Sequence, residues 1–428
     1  MIRPILDRTY QEGVLIAYGD QKYTAMELRA LSLDLSRNLV KSSGGTCLVH
    51  TDNPAEIIVA LDACIRSKAH LMIAHTSLPS AIFEQLVERC RPAVIVGPGS
   101  SIIVEDCLTE ASDQKIFLMT SGTTGQPKIA AHRLEKIVGS VRVSSHDQPH
   151  NWMLTYQATG FAGLQVMLAA LMSGARLFAP QIRTPSRFLS TARENSVTHV
   201  SGTPTFWRSL LISGAQQLDL EQVTLGGEAI DQLILDRLRA AFPKARISHT
   251  YASTEAGMVF AVHDGREGFP LDWLGRSVDG VELRIIDGYL HIRSDRKMQK
   301  YENMDRQPFL KEGWLVTRDR CEIKEDRVRI IGREDSVINV AGSKVYPAEV
   351  EAFLLQQAGV AEARVFGVPN PISGTLVAAE IVCDPSSNRE ALKSRLVQAC
   401  RQELPGFKVP RIWNVVDQLS IGHSLKKG

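Results

Sequence analysis

Between Ile116 and His132 the sequence reads IFLMTSGTTGQPKIAAH, and its residue types are those that hold a phosphate. The apolar run from Ile116 to Met119 breaks into hydroxylated residues and glycines, the pattern of a strand emptying into a tight loop. Gly122 and Gly125 let backbone N–H groups turn toward one anion. Thr120, Ser121, Thr123 and Thr124 add hydroxyl donors, and Lys128 adds a positive charge. The P-loop pattern is excluded: it needs lysine directly after glycine and then Ser or Thr, whereas Pro127 intervenes here and Ile129 follows.

The string T-S-G-T-T-G-x-P-K resembles the phosphate-binding signature of the adenylate-forming superfamily, which includes acyl- and aryl-CoA synthetases, adenylation domains of peptide synthetases and luciferases. Other stretches resemble the same family in its own order. Gly226-Gly227-Glu228 resembles its adenine-side motif, where a missing side chain leaves one face of a purine free to pack. Tyr251-Ala252-Ser253-Thr254-Glu255 resembles its Y-x-x-T-E motif. The resemblance implies Tyr251 stacked on adenine, Thr254 bonded to the α-phosphate and Glu255 holding Mg²⁺, a hard cation that takes carboxylate and phosphate oxygens. Asp319, at the end of Trp314-Leu315-Val316-Thr317-Arg318-Asp319, matches the aspartate that accepts from both ribose hydroxyls; the family usually has glycine at Arg318. Gly332-Arg333-Glu334-Asp335 resembles the junction between the family's two domains, with Arg333 near ribose or phosphate and Asp335 as the pivot. Val340-Ala341-Gly342 matches the loop beside the CoA tunnel, and Lys426, with Lys427 beside it and Leu425 in place of the usual glycine, falls at the catalytic lysine.

The resemblance implies a two-step reaction with ATP, Mg²⁺ and a thiol. A carboxylate attacks the α-phosphorus to give an acyl-adenylate and pyrophosphate, and a thiol then displaces AMP. Thr120 to Gly125 and Lys128 would hold the outer phosphates, with Lys426 bridging carboxylate and α-phosphate. Tyr156, Phe161, Gly226, Ala252 and Met258 are the expected acyl-pocket walls. Amino-acid-activating members usually carry aspartate where Phe161 stands, and without it nothing nearby would neutralise an ammonium. An aryl or short polyketide-like acid is therefore expected. Three readings stay open: an acyl- or aryl-CoA ligase, an adenylation enzyme loading the phosphopantetheine of a carrier protein, and a nucleotide-binding relative without catalysis.

With 49 basic and 47 acidic residues the net charge is +2, which offers no electrostatic attraction to nucleic acid or an anionic membrane. Cysteines 47, 64, 90, 107, 321, 383 and 400 are scattered without C-x-x-C spacing, which suits a reducing cytoplasm and no zinc site. MIRPILDRTY has no apolar core of secretory length, and the apolar window from Phe161 to Phe178 is too short and too polar to span a membrane. His146 and His150 are expected to be solvated loop residues.

These residues need a scaffold of alternating elements. Helices are expected from Thr24 on capping-box spacing, over Pro54–Ser67, from Pro79, over Phe161–Met172 and over Pro185–Glu194. Strands are expected at 46–50, 71–74, 93–96, 175–178, 199–201 and 247–250, implying a largely parallel sheet covered on both faces. From Gly280 the texture becomes short strands, with Asp287-Gly288 as a hairpin turn. The expected fold is α/β: a large N-terminal domain (1–334) of mixed, mainly parallel sheets flanked by helices, with a small barrel-like β part. A small mobile α+β lid (335–428) completes it.

Overall fold

The computed structural model describes residues 2–41, 45–104, 107, 113–120, 127–141, 150–305, 307–309, 312–340, 342–370, 374–384 and 387–419, with the backbone alone at Asp335 and Gly374. Among these residues two large sheets carry the N-terminal part. One has eight strands in the order Gly257–Val262, Arg246–Ser253, Gln222–Gly226, His199–Gly202, Asn151–Leu154, Arg176–Ala179, Val14–Tyr18 and Gln21–Thr24. The other has seven, in the order Lys300–Tyr301, Lys128–Arg133, Lys115–Thr120, His70–Ile73, Thr46–Val49, Val94–Gly97 and Ser100–Ile103. The inner strands of both are parallel, and the outer ones turn back antiparallel.

The helices that cover these sheets start where their caps allow. Thr24 accepts from the Glu27 amide at 3.2 Å while Glu27 accepts from the Thr24 amide at 2.8 Å, and the helix Ala25–Val40 follows. Asn53 accepts from the Ala55 amide at 3.0 Å ahead of Pro54–Ser67, whose first position is proline. Phe161–Met172 is apolar almost all round because it is a core helix, with Leu164, Met167, Leu168 and Leu171 fully buried. Among the described residues no helix is long and apolar enough to cross a membrane.

A six-stranded sheet follows, built on Val281–Ile286, Tyr289–Ser294, Leu315–Lys324 and Arg327–Arg333. Asp287 and Gly288, at φ +52° and +77°, supply the doubly left-handed turn that suits a two-residue hairpin. After residue 335 the chain forms a hairpin, Ile338–Val340 with Ser343–Val345, and a three-stranded sheet of Val360–Asn370, Gly374–Cys383 and Ile412–Val416. Helices Pro347–Leu355 and Arg389–Glu403 cover it around Val350, Leu354, Val365, Ile381 and Leu396. Among the described residues no sheet takes strands from both sides of residue 335.

Several elements go beyond the sequence reading, among them the strands Val14–Tyr18, Lys128–Arg133 and Asn151–Leu154 and the helices Pro204–Ile212 and Gln232–Ala241. His150, expected in solvent, is buried and its Nδ1 lies 3.1 Å from Glu221; His146 lies outside the described residues.

Candidate active site

Open α/β sheets present ligand sites at the carboxyl ends of their parallel strands. Here the strand Lys115–Thr120 runs into residues 121–126, and Lys128 opens the strand that returns antiparallel beside it. Thr120 and Lys128 are direct register partners, so both flank one point. Ser121, Gly122, Thr123, Thr124 and Gly125 lie outside the described residues.

Around that point the structure gathers residues distant in sequence. The Lys128 ammonium lies 5.6 Å from the centre of the Tyr301 ring. The Tyr301 hydroxyl donates to Glu255 Oε1. Burial, and then the Glu255 charge, push the Tyr301 phenol well above its ordinary range, so it stays a donor. Asn303 clasps the base of the loop: its Nδ2 donates to Pro127 O at 2.8 Å, and its Oδ1 accepts from the Ile129 amide at 2.9 Å. Tyr301 and Asn303 were missed from the sequence, and the signal was slight: an aromatic and an amide in the polar stretch KYENMD.

Thr254 and Glu255 sit between the last two strands of the eight-stranded sheet. His132 Nε2 lies 2.6 Å from Thr254 O, and the Met298 amide donates to Glu255 O at 2.8 Å. Burial holds the His132 imidazole down at about 4, which keeps it neutral. The donor set fits a hard divalent cation: a carboxylate and a hydroxyl, both oxygen ligands.

The ribose-side residues also converge. Tyr251 donates its hydroxyl to Asp319 Oδ2, and Arg333 Nε lies 3.3 Å from Asp319 Oδ1. Burial raises the Asp319 carboxyl, while Arg333 and Tyr251 oppose that rise. The Tyr251 ring stacks on Phe260, with centroids 5.3 Å apart and planes at 18°. Arg318 takes φ +61° at a register shift inside the strand Leu315–Lys324, a left-handed conformation that glycine adopts without strain.

Gly226 closes the carboxyl end of its strand, and a Cβ there would lie 2.6 Å from Thr250 Oγ1. Tyr156 donates its hydroxyl to Gly226 O at 3.2 Å. Gly227 follows at φ +86°. Glu228 Oε2 accepts from the Thr205 amide at 3.0 Å and from the Thr205 hydroxyl at 2.8 Å, in the first turn of Pro204–Ile212. Phe161 is buried, its ring centre 6.2 Å from that of His132. Ala252 and Met258 are register partners beside a bulge. Asp335 lies in the single turn Glu334–Ser336, and Val340 and Gly342 flank the tip of the following hairpin, Gly342 at φ +87°. Ala341 and Lys426 lie outside the described residues.

Two other features are separate from this constellation. His150, His199 and Glu221 group at the amino ends of the strands, opposite the site, where their ligand atoms fall within 4.8 Å of one another. A cavity of about 330 Å³ lined by Asp20, Lys22, Arg187 and Glu194 shares no residue with it. The chemistry, not the hollow, locates the site.

Residues 104–297 match the AMP-binding enzyme family, and residues 349–426 match the AMP-binding enzyme C-terminal domain. The chain is 28% identical over 327 residues to the 3-[(3aS,4S,7aS)-7a-methyl-1,5-dioxo-octahydro-1H-inden-4-yl]propanoyl:CoA ligase of Rhodococcus jostii (strain RHA1), covering 72% of this chain and 62% of that one. It is 23% identical over 457 residues to the 2-succinylbenzoate–CoA ligase of Bacillus subtilis (strain 168), covering 95% of this chain and 92% of that one. The structure of the anthranilate CoA ligase AuaEII with anthranoyl-AMP superposes with a TM-score of 0.81 at 19% identity, covering 99% of this chain and 94% of that one.

Proposed function

The chain belongs to the AMP-binding enzyme family, and from that premise we propose that it is an AMP-forming acid–thiol ligase that makes an aryl or short acyl adenylate and passes the acyl group to CoA. The observation that carries this is the meeting of Thr120 and Lys128, Thr254 and Glu255, and Tyr251, Asp319 and Arg333 where three sheets come together.

The first step forms a carboxylate oxygen–phosphorus bond and breaks the bond to pyrophosphate. Lys128, Thr120 and the donors of residues 121–125 hold the outer phosphates and stabilise the leaving charge. Thr254 donates to the α-phosphate, and Lys426 bridges it to the attacking carboxylate. Glu255 would hold Mg²⁺, which would supply charge neutralisation of the triphosphate. Asp319 accepts from the ribose hydroxyls, braced by Arg333, and the purine packs on Tyr251 from the side opposite Phe260.

In the second step a thiol sulfur attacks the acyl carbonyl, loses its proton, and AMP leaves with the electron pair of the anhydride bond. The unit from residue 335 onward acts as the lid: it turns about Asp335, withdraws Lys426 and brings Val340-Ala341-Gly342 to the thiol. Tyr156 and Phe161 give the acid an aromatic wall, supporting an aryl or short acyl substrate. The scattered free cysteines support work in the reducing cytoplasm.

The test is ATP–pyrophosphate exchange across a panel of aryl and short acyl acids, with hydroxylamine trapping of the adenylate. Turnover is then compared between CoA and phosphopantetheinyl carrier protein. Acid-dependent exchange with preference for CoA supports the proposal; preference for the carrier identifies a loading enzyme. ATP binding without exchange on any acid identifies a relative without catalysis.

A further inference from the structure

Alternate residues of a strand share a face, so Lys128, Ala130 and His132 look the same way from Lys128–Arg133. The first reaches the Tyr301 ring; the last reaches the main chain of Thr254. A carbonyl only accepts, so the proton of His132 is on Nε2, 2.6 Å from Thr254 O, and Nδ1 is a bare acceptor. His132 is 0% exposed, and its Nδ1 has no hydrogen-bond partner among the described residues.

We infer that His132 is a positioning residue: its Nε2–H fixes the Thr254 carbonyl and thereby aims the Thr254 hydroxyl and the Glu255 carboxylate. With the Met298 amide holding Glu255 O at 2.8 Å, both carbonyls of this dipeptide are tied. The side chains between them inherit that orientation, and Tyr301 steadies the carboxylate from its other end. One strand therefore serves both halves of the phosphate site, with Lys128 at its start and His132 four residues on. Packing against Phe161 alone does not account for an imidazole here, because an aliphatic side chain would fill the space without orphaning an acceptor. This inference rests on reading Thr254 and Glu255 as the α-phosphate and cation residues.

The experiment compares His132→Leu, which keeps bulk and removes the donor, with His132→Gln, which places an amide N–H near the position of Nε2. Three readouts are taken on the full chain. They are calorimetric binding of ATP with and without Mg²⁺, the kcat and acid KM of pyrophosphate exchange, and the imidazole ¹⁵N signature of wild type. The expected result is a roughly 10- to 100-fold loss in Mg²⁺-dependent ATP affinity and in kcat for the leucine variant, as for other residues that orient a metal's ligands. The acid KM should stay unchanged, glutamine should recover most of the loss, and the wild-type ring should carry its proton on Nε2. Equal impairment or equal activity of the two variants overturns the inference, as does a proton on Nδ1. If wild type shows no exchange on any acid, the ligase reading fails instead, and the ring signature and Mg²⁺-dependent binding still decide the role of His132.

Discussion

Tyr251 and Asp319 meet across two sheets: the phenol of the eight-stranded sheet donates to a carboxylate of the six-stranded one. Arg333 approaches the same carboxylate from its opposite oxygen. Asp319→Asn keeps the shape but removes the charge and one acceptor. Hydrogen bonds to a charged group contribute about 1.5–3 kcal/mol each, so the ATP KM should rise roughly 10- to 100-fold. Tyr251→Phe, which keeps the stacked ring, should cost less. Steady-state exchange kinetics distinguish the two, and a larger effect from the tyrosine change would contradict the assignment.

Glu228 is spoken for by Thr205. Glu228→Ala should lower the unfolding free energy by about 1–2 kcal/mol, the cost of losing a charged helix cap. Urea titration measures this. ATP affinity should change little, and a large rise in ATP KM at unchanged stability would return Glu228 to the nucleotide.

Arg318 holds a left-handed backbone at an exposed irregularity inside the strand Leu315–Lys324. Arg318→Gly should be more stable than Arg318→Ala by about 1 kcal/mol, since alanine keeps the strain and glycine relieves it. Denaturant midpoints of the pair decide it; equal midpoints mean that this position carries no strain.

Asp335→Pro should impair thioester formation far more than pyrophosphate release, because it would stiffen the turn proposed as the pivot of the lid. Single-turnover assays of each half-reaction separate the steps. Equal loss in both would remove Asp335 as the pivot.

Asp7 lies 2.7 Å from Arg66 and 2.9 Å from Arg29, and its hydrogen bond to Arg66 foremost lowers its carboxyl below the ordinary 3.8. As pH falls through that value the unfolded chain takes up the proton first, so stability drops. The contribution is complete above the ordinary value and is lost as pH passes the depressed one. The advantage of wild type over Asp7→Asn should therefore be steady at neutral pH and vanish in acid, as followed by thermal melts. An advantage that persists in strong acid would show that the charge is not its source.

The parts of this molecule that were legible in the sequence are those governed by local chemistry. Thr24 with Glu27, Asn53 before Pro54 and Asp287-Gly288 announce a cap, a start and a turn through neighbours in the chain. The motif residues were legible as a resemblance to the family whose model matches residues 104–297. What escaped was long-range. Tyr301 and Asn303 serve a loop about 180 residues earlier and show no local pattern. His132 was readable only once residues 128–133 were known to be a strand, since its kinship with Lys128 is a period of two. Glu228 reads in the sequence only through its neighbours Gly226 and Gly227, and its tie to Thr205, 23 residues earlier, leaves no local pattern.

Arg333 is the direct partner of Asp319 in the six-stranded sheet, and the turn of Glu334–Ser336 begins one residue later. The pivot proposed at Asp335 thus falls just outside this ion pair. A lid turning there would leave Asp319 and Arg333 in the fixed body, so a sugar held by them would stay seated while a different wall is brought round to the activated acid.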